Sequence, residues 1–385
     1  MSISATKVLA NRFRIHTRFR RAERLRKLAM ERPFLDGAHT RLLLVSQSHR
    51  IPQSQIFPFH HYAKDLKRLY GAQVREIDIS SVLSGEPAKA MGANVVAFQT
   101  PFDIEDEKLW RLLDRLNHDH PKARMVYLDW SAPTDLRNAE RLDKYIDVYV
   151  KKHVLRNRLE YSQSTIGETN LSDFYSRRFG VDAPIRLFNV TPDFLRKLVV
   201  GPSFATAPGI LPSLLGSPPP LGPRPIDLHA RFAVGGTAWY QLMRAEAEAA
   251  LSQVSDLVVI KGNSVGLARF LVEMQSTKIV FSPFGYGEVC WRDYEAVMAG
   301  AVLLKPDMSH IETNPDIFVP WETYVPLKWD LSDFDDCVRQ LVTDTQLRHR
   351  ISRQAFDVLH RWLASDNFAK AMAPLFEPNS IQNIP

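Results

Sequence analysis

Cysteine is scarce in this sequence, since only Cys290 and Cys337 occur among 385 residues. Two thiols exclude both a disulfide framework and a four-cysteine zinc site. No run of about 18 uncharged apolar residues is present, which argues against a membrane-spanning helix. The N-terminus also lacks the apolar stretch of a signal peptide. We therefore expect a cytoplasmic globular protein, with hydrophobic residues at 45% and charged residues at 24% of the chain.

Metal-binding motifs are missing as well. No His-Glu-x-x-His sequence occurs, and no Asp-x-Asp stands in a suitable strand context. The acidic run Asp103–Asp106 begins a predicted helix, where carboxylates complement the helix dipole. We therefore expect no metal site.

Positive charge is concentrated at the N-terminus. Residues 7–32 hold ten Lys or Arg against two Glu, a local charge of +8, whereas the whole chain carries +6. Leu25, Leu28 and Ala29 follow helical spacing there. For this arm, residues 1–36, three roles stay open: a solvated helix packed on the body, a basic amphipathic helix on an anionic membrane, or a nucleic-acid-binding segment. No nucleic-acid module follows the arm, so we expect no nucleic-acid partner.

Apolar runs alternate with helix-length segments through the rest of the chain. Strands are predicted near residues 41–46, 74–79, 94–99, 125–128, 148–151, 227–233, 257–261, 278–282 and 302–305. Such alternation is typical of βαβ units that form a parallel sheet buried on both faces. Helical patterns over residues 332–343, 346–364 and 367–375 close the chain.

A proline-rich stretch separates two series of strands. Residues 202–225 contain eight prolines and three glycines, with neither a strand nor a helix period, so we expect this stretch to build no core. The prediction is an α/β fold of two Rossmann-like domains facing across a cleft. The first covers residues 37–200 and the second residues 226–385, with a linker at 201–225. Ligands are expected at the carboxyl ends of the strands.

The densest group of candidate ligand-binding residues lies in the second domain. There a strand is followed by a turn with Gly285 and Gly287, a helix with Arg292 and Glu295, and a strand that ends at Lys305. A glycine turn before a helix offers N–H groups to phosphate. The cations would meet a diphosphate, and the carboxylate would bind a ribose diol. A tight turn with a surface ion pair is the alternative.

This segment resembles the donor-site signature of GT-B glycosyltransferases, specifically the exostosin-like and bacterial glycosyltransferase family 1 proteins. The matching residues are Gly285, Gly287, Arg292, Tyr294, Glu295, Ala296, Gly300 and Lys305. The resemblance covers residues 226–375 and implies a nucleotide-sugar donor, with Glu295 on the nucleotide ribose. It also implies that neither a metal nor another cofactor is needed, because basic residues and helix N-termini offset the leaving diphosphate.

The resemblance leaves the stereochemistry open. Many retaining members of such families carry a second Glu, eight residues before the ribose-binding one, that contacts the donor sugar. Gly287 occupies that position here, and Glu288 is the nearest carboxylate. Glu288 is therefore a candidate donor-binding residue that departs from the pattern by one position.

A second glycine-containing loop follows the first strand of the second domain. Gly235, Gly236 and Thr237 precede the helix near Trp239, and Arg244 lies inside that helix. The position predicts a diphosphate loop, and a simple strand-to-helix turn is the alternative.

Candidate general bases lie in the first domain. His60 and His61 follow the first strand, and Asp129 follows the fourth, at places where an acceptor would approach. A surface or core-capping role is the alternative for each.

A competing motif is Gly262–Gly266, a G-x-S-x-G between a strand and a helix, which is the context of a nucleophile elbow at Ser264. Asp307 or Asp316 and His349 or His360 would follow in hydrolase order. A hydrolase-like oxyanion segment is missing upstream, and a turn with a capping Ser fits equally well.

Taken together, these patterns predict a metal-independent, hexosyltransferase-like enzyme that moves a sugar from a nucleotide-sugar to a glycan or lipid-linked acceptor, as in polysaccharide biosynthesis. The arm would add a peripheral contact with the inner face of a membrane. Two alternatives stay open: a serine hydrolase that uses Ser264, and a non-enzymatic lipid- or nucleic-acid-binding protein whose α/β body is a scaffold.

Overall fold

The computed structural model describes residues 4–87, 90–216, 218–220, 222–262 and 264–377. The strands of the first half are β1 (Thr40–Ser46), β2 (Ala72–Asp78), β3 (Val95–Phe98), β4 (Arg124–Asp129), β5 (Val148–Lys151), β6 (His153–Leu155), β7 (Thr165–Ile166), β8 (Ile185–Arg186) and β9 (Leu198–Val200). Its helices are α1 (Ala5–Lys27), α2 (Gln53–His61), α3 (Ala63–Tyr70), α4 (Ile79–Leu83), α5 (Asp106–Asp119), α6 (Ala139–Leu142), α7 (Asn170–Phe179), α8 (Pro192–Arg196) and α9 (Leu211–Leu214).

The second half repeats the alternation of strands and helices. Its strands are β10 (Ile226–Ala230), β11 (Val259–Lys261), β12 (Thr277–Phe281), β13 (Val302–Pro306), β14 (Ile311–Thr313) and β15 (Val325–Leu327). Its helices are α10 (Ala238–Ala250), α11 (Leu267–Gln275), α12 (Trp291–Ala299), α13 (Phe334–Thr343), α14 (Thr345–Ala364), α15 (Asn367–Ala371) and α16 (Ala373–Phe376).

Two parallel sheets organise these elements. The first has the order β2-β1-β3-β4-β5-β9 and the second the order β11-β10-β12-β13-β15. Their apolar runs are buried because helices cover both faces, and Leu44, Val96 and Phe281 are each 0% exposed. The predicted α/β fold with two Rossmann-like sheets is confirmed. The first sheet also gains a sixth strand, β9, that the sequence pattern did not reveal.

The two domains are joined by more than one connection. Strand β6 of the first domain pairs with β14 of the second in an antiparallel ladder. The closing helices pack back on the first domain, where Tyr62 Oη donates a hydrogen bond to Leu363 O at 2.6 Å and Tyr70 Oη donates to Ala369 O at 3.1 Å. The carboxyl ends of both sheets therefore face each other across a bridged interface.

The basic arm folds as helix α1, whose inner face packs against α2 and α11. Ala22 is buried on this face, and Arg26 Nε lies 2.7 Å from Glu76 Oε1. The outer face leaves Leu9 and Phe13 exposed at 67% and 74%. The arm is thus packed on the body, with exposed apolar side chains among its outward-facing arginines. Residues 1–3 of the arm and 378–385 of the second domain lie outside the described range.

The proline-rich stretch differs from the expectation that it builds no core. A 3₁₀ turn (Phe204–Thr206) and helix α9 form within it, and Ala205, Leu211 and Leu214 are each 0% exposed. Phe204 stacks on Trp291 of α12, with ring centroids 4.4 Å apart. These apolar side chains bury themselves between the domains despite the prolines around them. Residues 217 and 221 of this stretch are not described.

Candidate functional site

The loops that follow β4 and β12 meet where the two sheets face each other. An added Cβ at Gly287 would lie 1.8 Å from Ala132 O, so only glycine permits this approach. Gly285 N donates a hydrogen bond to Gly287 O at 3.0 Å, which closes the predicted turn. Helix α12 begins directly after this turn, and its N-cap, Cys290, donates its backbone N–H to Asp293 Oδ2 at 2.8 Å. The predicted turn into a helix therefore lies at the domain interface.

The two glycine-containing loops of the second domain lie side by side. Thr237 N donates to Tyr286 Oη at 3.1 Å, and the rings of Tyr240 and Tyr286 stack at 4.4 Å. An added Cβ at Gly236 would lie 2.6 Å from Tyr286 Oη, whereas Gly235 has open space around it. The structure thus brings together the two loops that the sequence suggested separately.

Three cations, each with a buried nitrogen atom that has no partner among the described residues, lie near the start of α12. Lys152 is 1% exposed, its Nζ has no hydrogen-bond partner among the described residues, and it lies 4.0 Å from the ring centroid of Phe204. Burial lowers the pKa of Lys152 to about 7, although the charge of Asp129 acts in the opposite direction. A lysine in this state is readily protonated when an anion binds beside it.

Arg244 and Arg292 complete this group. Arg244 is 4% exposed and lies over the rings of Phe232 and Tyr240, at 5.3 and 5.0 Å. Burial lowers the pKa of Arg244, and the charge of Arg292 adds to the effect. Arg292 donates from Nη2 to Arg231 O at 2.6 Å. Within the described part of the chain, Nε of both arginines lacks a partner.

These three cations can serve one anion. Lys152 and Arg244 both lie near Cys290, the N-cap of α12, and Arg244 also lies near Arg292. Buried charge without a partner is costly, so such groups are normally paired. An anion with several oxygen atoms at the start of α12 would supply the missing acceptors. We call Lys152, Arg244 and Arg292 the cation cluster.

Glu295 lies beneath the arm and not in an open cleft. Its side chain is 7% exposed and makes no hydrogen bond or ion pair within the described range. Burial raises the pKa of Glu295 to about 7, and Arg292 and Arg50 oppose this shift. The cavity beside it has a volume of about 20 Å³ and is lined by Arg18 and Phe19 of α1. That space suits about one water molecule.

Lys305 is engaged inside the second domain. Its Nζ lies 3.2 Å from Asp293 Oδ1 and 3.4 Å from Ser282 O, and the side chain is fully buried. This ion pair holds the strand β13 against the start of α12. The predicted contact of Lys305 with a diphosphate stays a prediction.

Glu288 connects the two domains. Its Oε2 accepts hydrogen bonds from Thr134 Oγ1 at 2.6 Å and from His153 Nε2 at 3.2 Å, and Oε1 lies 3.4 Å from His310 Nε2. Burial acts to raise the pKa of Glu288, but the hydrogen bonds from His153 and His310 outweigh it and hold this pKa well below its usual value. A buried carboxylate with charge therefore lies between the two sheets.

The candidate bases of the first domain lie in separate hydrogen-bond networks. Asp129 accepts from Lys151 Nζ at 2.7 Å and from Tyr149 Oη at 2.6 Å. His60 Nε2 lies 2.6 Å from Glu76 Oε2, on the side of strand β2. Burial lowers the pKa of His61, whose ring lies against Tyr62. The structure does not bring these residues together, and their role as general bases stays a prediction.

Three residues of the interface were missed from the sequence: Lys152, His153 and His310. The first two directly follow the predicted strand at 148–151, so a search for polar residues at strand ends would have found them. His310 follows no clear strand pattern.

The competing G-x-S-x-G motif shows no catalytic geometry. Ser264 is exposed, and among the residues that the structure describes it has no hydrogen bond to a histidine. Asn263 of this motif lies outside the described residues.

No group of three or more His, Cys, Asp or Glu in the described chain could hold a metal ion. None of the described helices has the length and apolarity needed to cross a membrane.

No protein-family model matches the sequence, and no curated protein is similar to it in sequence. Among solved structures, the chain is similar to an alpha-glucosyltransferase in complex with UDP-glucose and DNA containing an abasic site. The TM-score is 0.47 at 8% identity, over 87% of this chain and 99% of that one. It is also similar to TarM, with a TM-score of 0.46 at 10% identity, over 75% of this chain and 55% of that one. The chain itself has two parallel α/β sheets with facing carboxyl ends and a helical C-terminus packed on the first, which is the architecture that the GT-B resemblance of its sequence predicts.

Proposed function

We propose that this protein is a glycosyltransferase that takes a sugar from a nucleoside-diphosphate sugar bound by the second domain. The observation that carries the proposal is the cation cluster near the start of α12, in which Lys152 Nζ and the Nε atoms of both arginines are buried without a partner among the described residues. A diphosphate offers several charged oxygen acceptors and two negative charges, which match these cations. The neighbouring glycine-containing loops allow the backbone to approach it closely.

The cation cluster would also assist the reaction itself. When the bond between the sugar carbon and the diphosphate breaks, negative charge develops on the leaving phosphate oxygen. Lys152 and Arg244 are buried and Arg292 is half-buried, and charge stabilisation is strong where water is largely excluded. Since the chain supplies these cations, we propose that transfer needs no metal ion.

Glu295 is proposed to bind the ribose of the nucleotide. An unpaired, buried carboxylate supports this role, because ribose hydroxyls would supply the missing hydrogen-bond donors. The present cavity of about 20 Å³ is too small for a ribose. Donor binding therefore requires the arm helix α1 to move away from α12.

The acceptor is proposed to approach from the first domain and to be a glycan or a lipid-linked molecule.

Exposed Leu9 and Phe13 lie among the basic residues of the outer face of α1. This combination supports a peripheral contact with an anionic membrane.

Calorimetric titration with a panel of nucleoside diphosphates tests the donor site. At least one should bind, and Lys152→Met and Arg244→Met should each weaken binding at least tenfold, about 1.4 kcal/mol. The exposed Lys122→Met and Arg111→Met serve as matched controls. Because Lys152→Met removes an unpaired buried charge, it should not destabilise the fold. A loss of binding in this variant would therefore not be caused by unfolding. Absence of binding across the panel, or equal binding by all four variants, would refute the donor-site assignment.

A further inference from the structure

Tyr286 lies across the glycine-containing loop that precedes α10. Gly285 and Gly287 flank it in the turn after β12, and its side chain is 42% exposed. Thr237 N donates a hydrogen bond to Tyr286 Oη at 3.1 Å. Because Thr237 is the N-cap of α10, the tyrosine hydroxyl occupies an N–H group at the very start of this helix.

The loop before α10 is shaped for this contact. An added Cβ at Gly236 would lie 2.6 Å from both Tyr286 Oη and Tyr240 Cδ1, so a side chain at this position would push the tyrosines away. The ring of Tyr286 stacks on Tyr240 with centroids 4.4 Å apart, and its edge meets Trp239 at 6.0 Å. Packing and a hydrogen bond therefore hold the hydroxyl on the loop together.

The N–H group of Thr237 is one that a phosphate oxygen would use. The first turn of α10 contains no acidic residue, and Thr237 makes no side-chain cap hydrogen bond, so neither supplies an acceptor. Free N–H groups and the dipole make a helix N-terminus attractive to anions.

A second observation points to an anion at the same end of α10. Arg244 is 4% exposed, and its Nε has no partner in the part of the chain that the structure describes. Its guanidinium lies 5.0 Å from the ring centroid of Tyr240, the ring on which Tyr286 stacks. A buried cation without a partner therefore lies beneath the two tyrosines.

The tyrosine hydroxyl is a weaker acceptor than a phosphate. Hydrogen bonds to an ionised acceptor are roughly twice as strong as those to a neutral one, so a phosphate oxygen can displace Tyr286 Oη from Thr237 N. Because the side chain is 42% exposed, it can rotate into solvent. The turn itself can stay in place, with Gly287 packed against Ala132 of the first domain.

We infer that Tyr286 is a specificity-determining residue of the donor site, whose hydroxyl yields the N–H group of Thr237 to a phosphate oxygen of the incoming diphosphate. This role rests on the proposed function of the second domain. A ligand without phosphate does not displace the hydroxyl, so Tyr286 favours phosphorylated ligands over bare nucleosides. Displacement breaks a hydrogen bond, so the wild type binds a diphosphate more weakly than a loop without the hydroxyl does.

Calorimetric titration of the full chain with inorganic pyrophosphate tests this role. Tyr286→Phe keeps the ring and removes only the hydroxyl, so pyrophosphate should bind at least about threefold more tightly than to wild type. The gain should be confined to phosphorylated ligands, and nucleosides should bind both proteins alike. Tyr145→Phe removes the hydroxyl of another exposed tyrosine and should leave pyrophosphate affinity unchanged.

A second substitution identifies the N–H group that is released. Thr237→Pro removes this N–H, and the φ of −66° at Thr237 is one that proline adopts. Combined with Tyr286→Phe, Thr237→Pro should abolish the gain in pyrophosphate affinity. Thr237→Ala keeps the N–H group and should preserve the gain in the same background.

Equal or weaker pyrophosphate binding by Tyr286→Phe overturns the inference, as does a gain that persists with Thr237→Pro or extends to nucleosides. Nucleoside diphosphates are titrated on the same samples. If they bind and depend on Lys152 and Arg244 while Tyr286→Phe brings no gain, only the role of Tyr286 is wrong. If the pyrophosphate results hold and nucleoside diphosphates bind no tighter than pyrophosphate, only the sugar-donor function is wrong. If none of these anions binds any variant, both are wrong.

Discussion

Glu288 of the second domain accepts a hydrogen bond at 2.6 Å from Thr134 of the first. His153, also of the first domain, adds a second contact to the same oxygen at 3.2 Å. This buried carboxylate therefore adds to the β6–β14 ladder and the closing helices in fixing one domain against the other. Its position next to the glycine turn makes it a sensitive place to test the structure.

Glu288→Ala should lower the free energy of unfolding by about 3–5 kcal/mol, because it leaves buried polar partners without a counterpart. Glu288→Gln should lower the free energy of unfolding by less than Glu288→Ala does. The folded-state pKa of Glu288 is depressed, so its charge stabilises the protein above about pH 4.5 and this contribution is lost as the pH falls through the folded-state value. Urea unfolding of wild type and Glu288→Gln should therefore converge on acidification. The exposed Glu107→Ala is the control, and an equal loss there would contradict the buried role.

Lys152 should take up a proton when a nucleoside diphosphate binds. Its folded-state pKa is about 7 against 10.5 for an ordinary lysine, so above neutral pH much of it is uncharged. A bound anion raises this pKa. Calorimetry at pH 8 in buffers of different ionisation enthalpy should show net proton uptake in wild type and less in Lys152→Met. Binding without proton exchange in either protein would argue against contact between Lys152 and the diphosphate.

Glu295→Gln should be more stable than wild type at pH 8 yet bind nucleotide more weakly. The pKa of Glu295 is raised from 4.5 to about 7, so the native state holds the extra proton and wild-type stability falls as the pH rises across this range. Removing the charge should add on the order of 2–3 kcal/mol to the free energy of unfolding at pH 8. Nucleoside diphosphate binding should weaken at least tenfold, about 1.4 kcal/mol.

A 2′,3′-dideoxy nucleotide separates the ribose contact from other effects of this change. It lacks the hydroxyls that Glu295 would hold, so wild type and Glu295→Gln should bind it alike. The exposed Glu248→Gln should alter neither stability nor binding. Equal affinity of wild type and Glu295→Gln for the natural nucleotide would remove the ribose assignment.

Gly287→Ala should disturb the interface between the two sheets. Its Cβ would lie 1.8 Å from Ala132 O, whereas a Cβ at Gly235 meets nothing within 4 Å. We expect Gly287→Ala to lower the melting temperature and reduce sugar transfer at least tenfold, and Gly235→Ala to change stability by less than about 1 kcal/mol. Thermal unfolding of both variants checks this, and a neutral Gly287→Ala would show that the loops do not approach so closely.

The outer face of α1 should bind anionic vesicles. Replacing Leu9 and Phe13 together by Ser should reduce co-sedimentation with phosphatidylserine-containing vesicles at low salt, because the exposed apolar side chains no longer enter the interface. High salt should reduce binding of the wild type, since its charges are then screened. Leu187→Ser, at an exposed apolar residue outside the arm, should have no effect. Unchanged sedimentation of the double variant would exclude this face as a membrane contact.

Local sequence was enough to predict the two sheets and the turn before α12. The runs that form β1, β3, β12 and β13 are apolar, so any parallel sheet must bury them, and the two glycines at 285 and 287 are a turn signal in the sequence itself. The stretch between β5 and β9 escaped prediction because its strands have only two or three residues. No period can be read from elements that short.

Tertiary structure alone decided the contacts made by the charged residues. The pairing of β6 with β14 joins segments about 160 residues apart in sequence, and it places His153 and His310 on Glu288. Likewise, the packing of α1 over α12 buries Glu295 without a partner, although its spacing predicted a carboxylate open to a cleft. The composition of a segment sets which side chains can be buried. Which charges meet, and which stay unpaired, depends on long-range packing that no local pattern encodes.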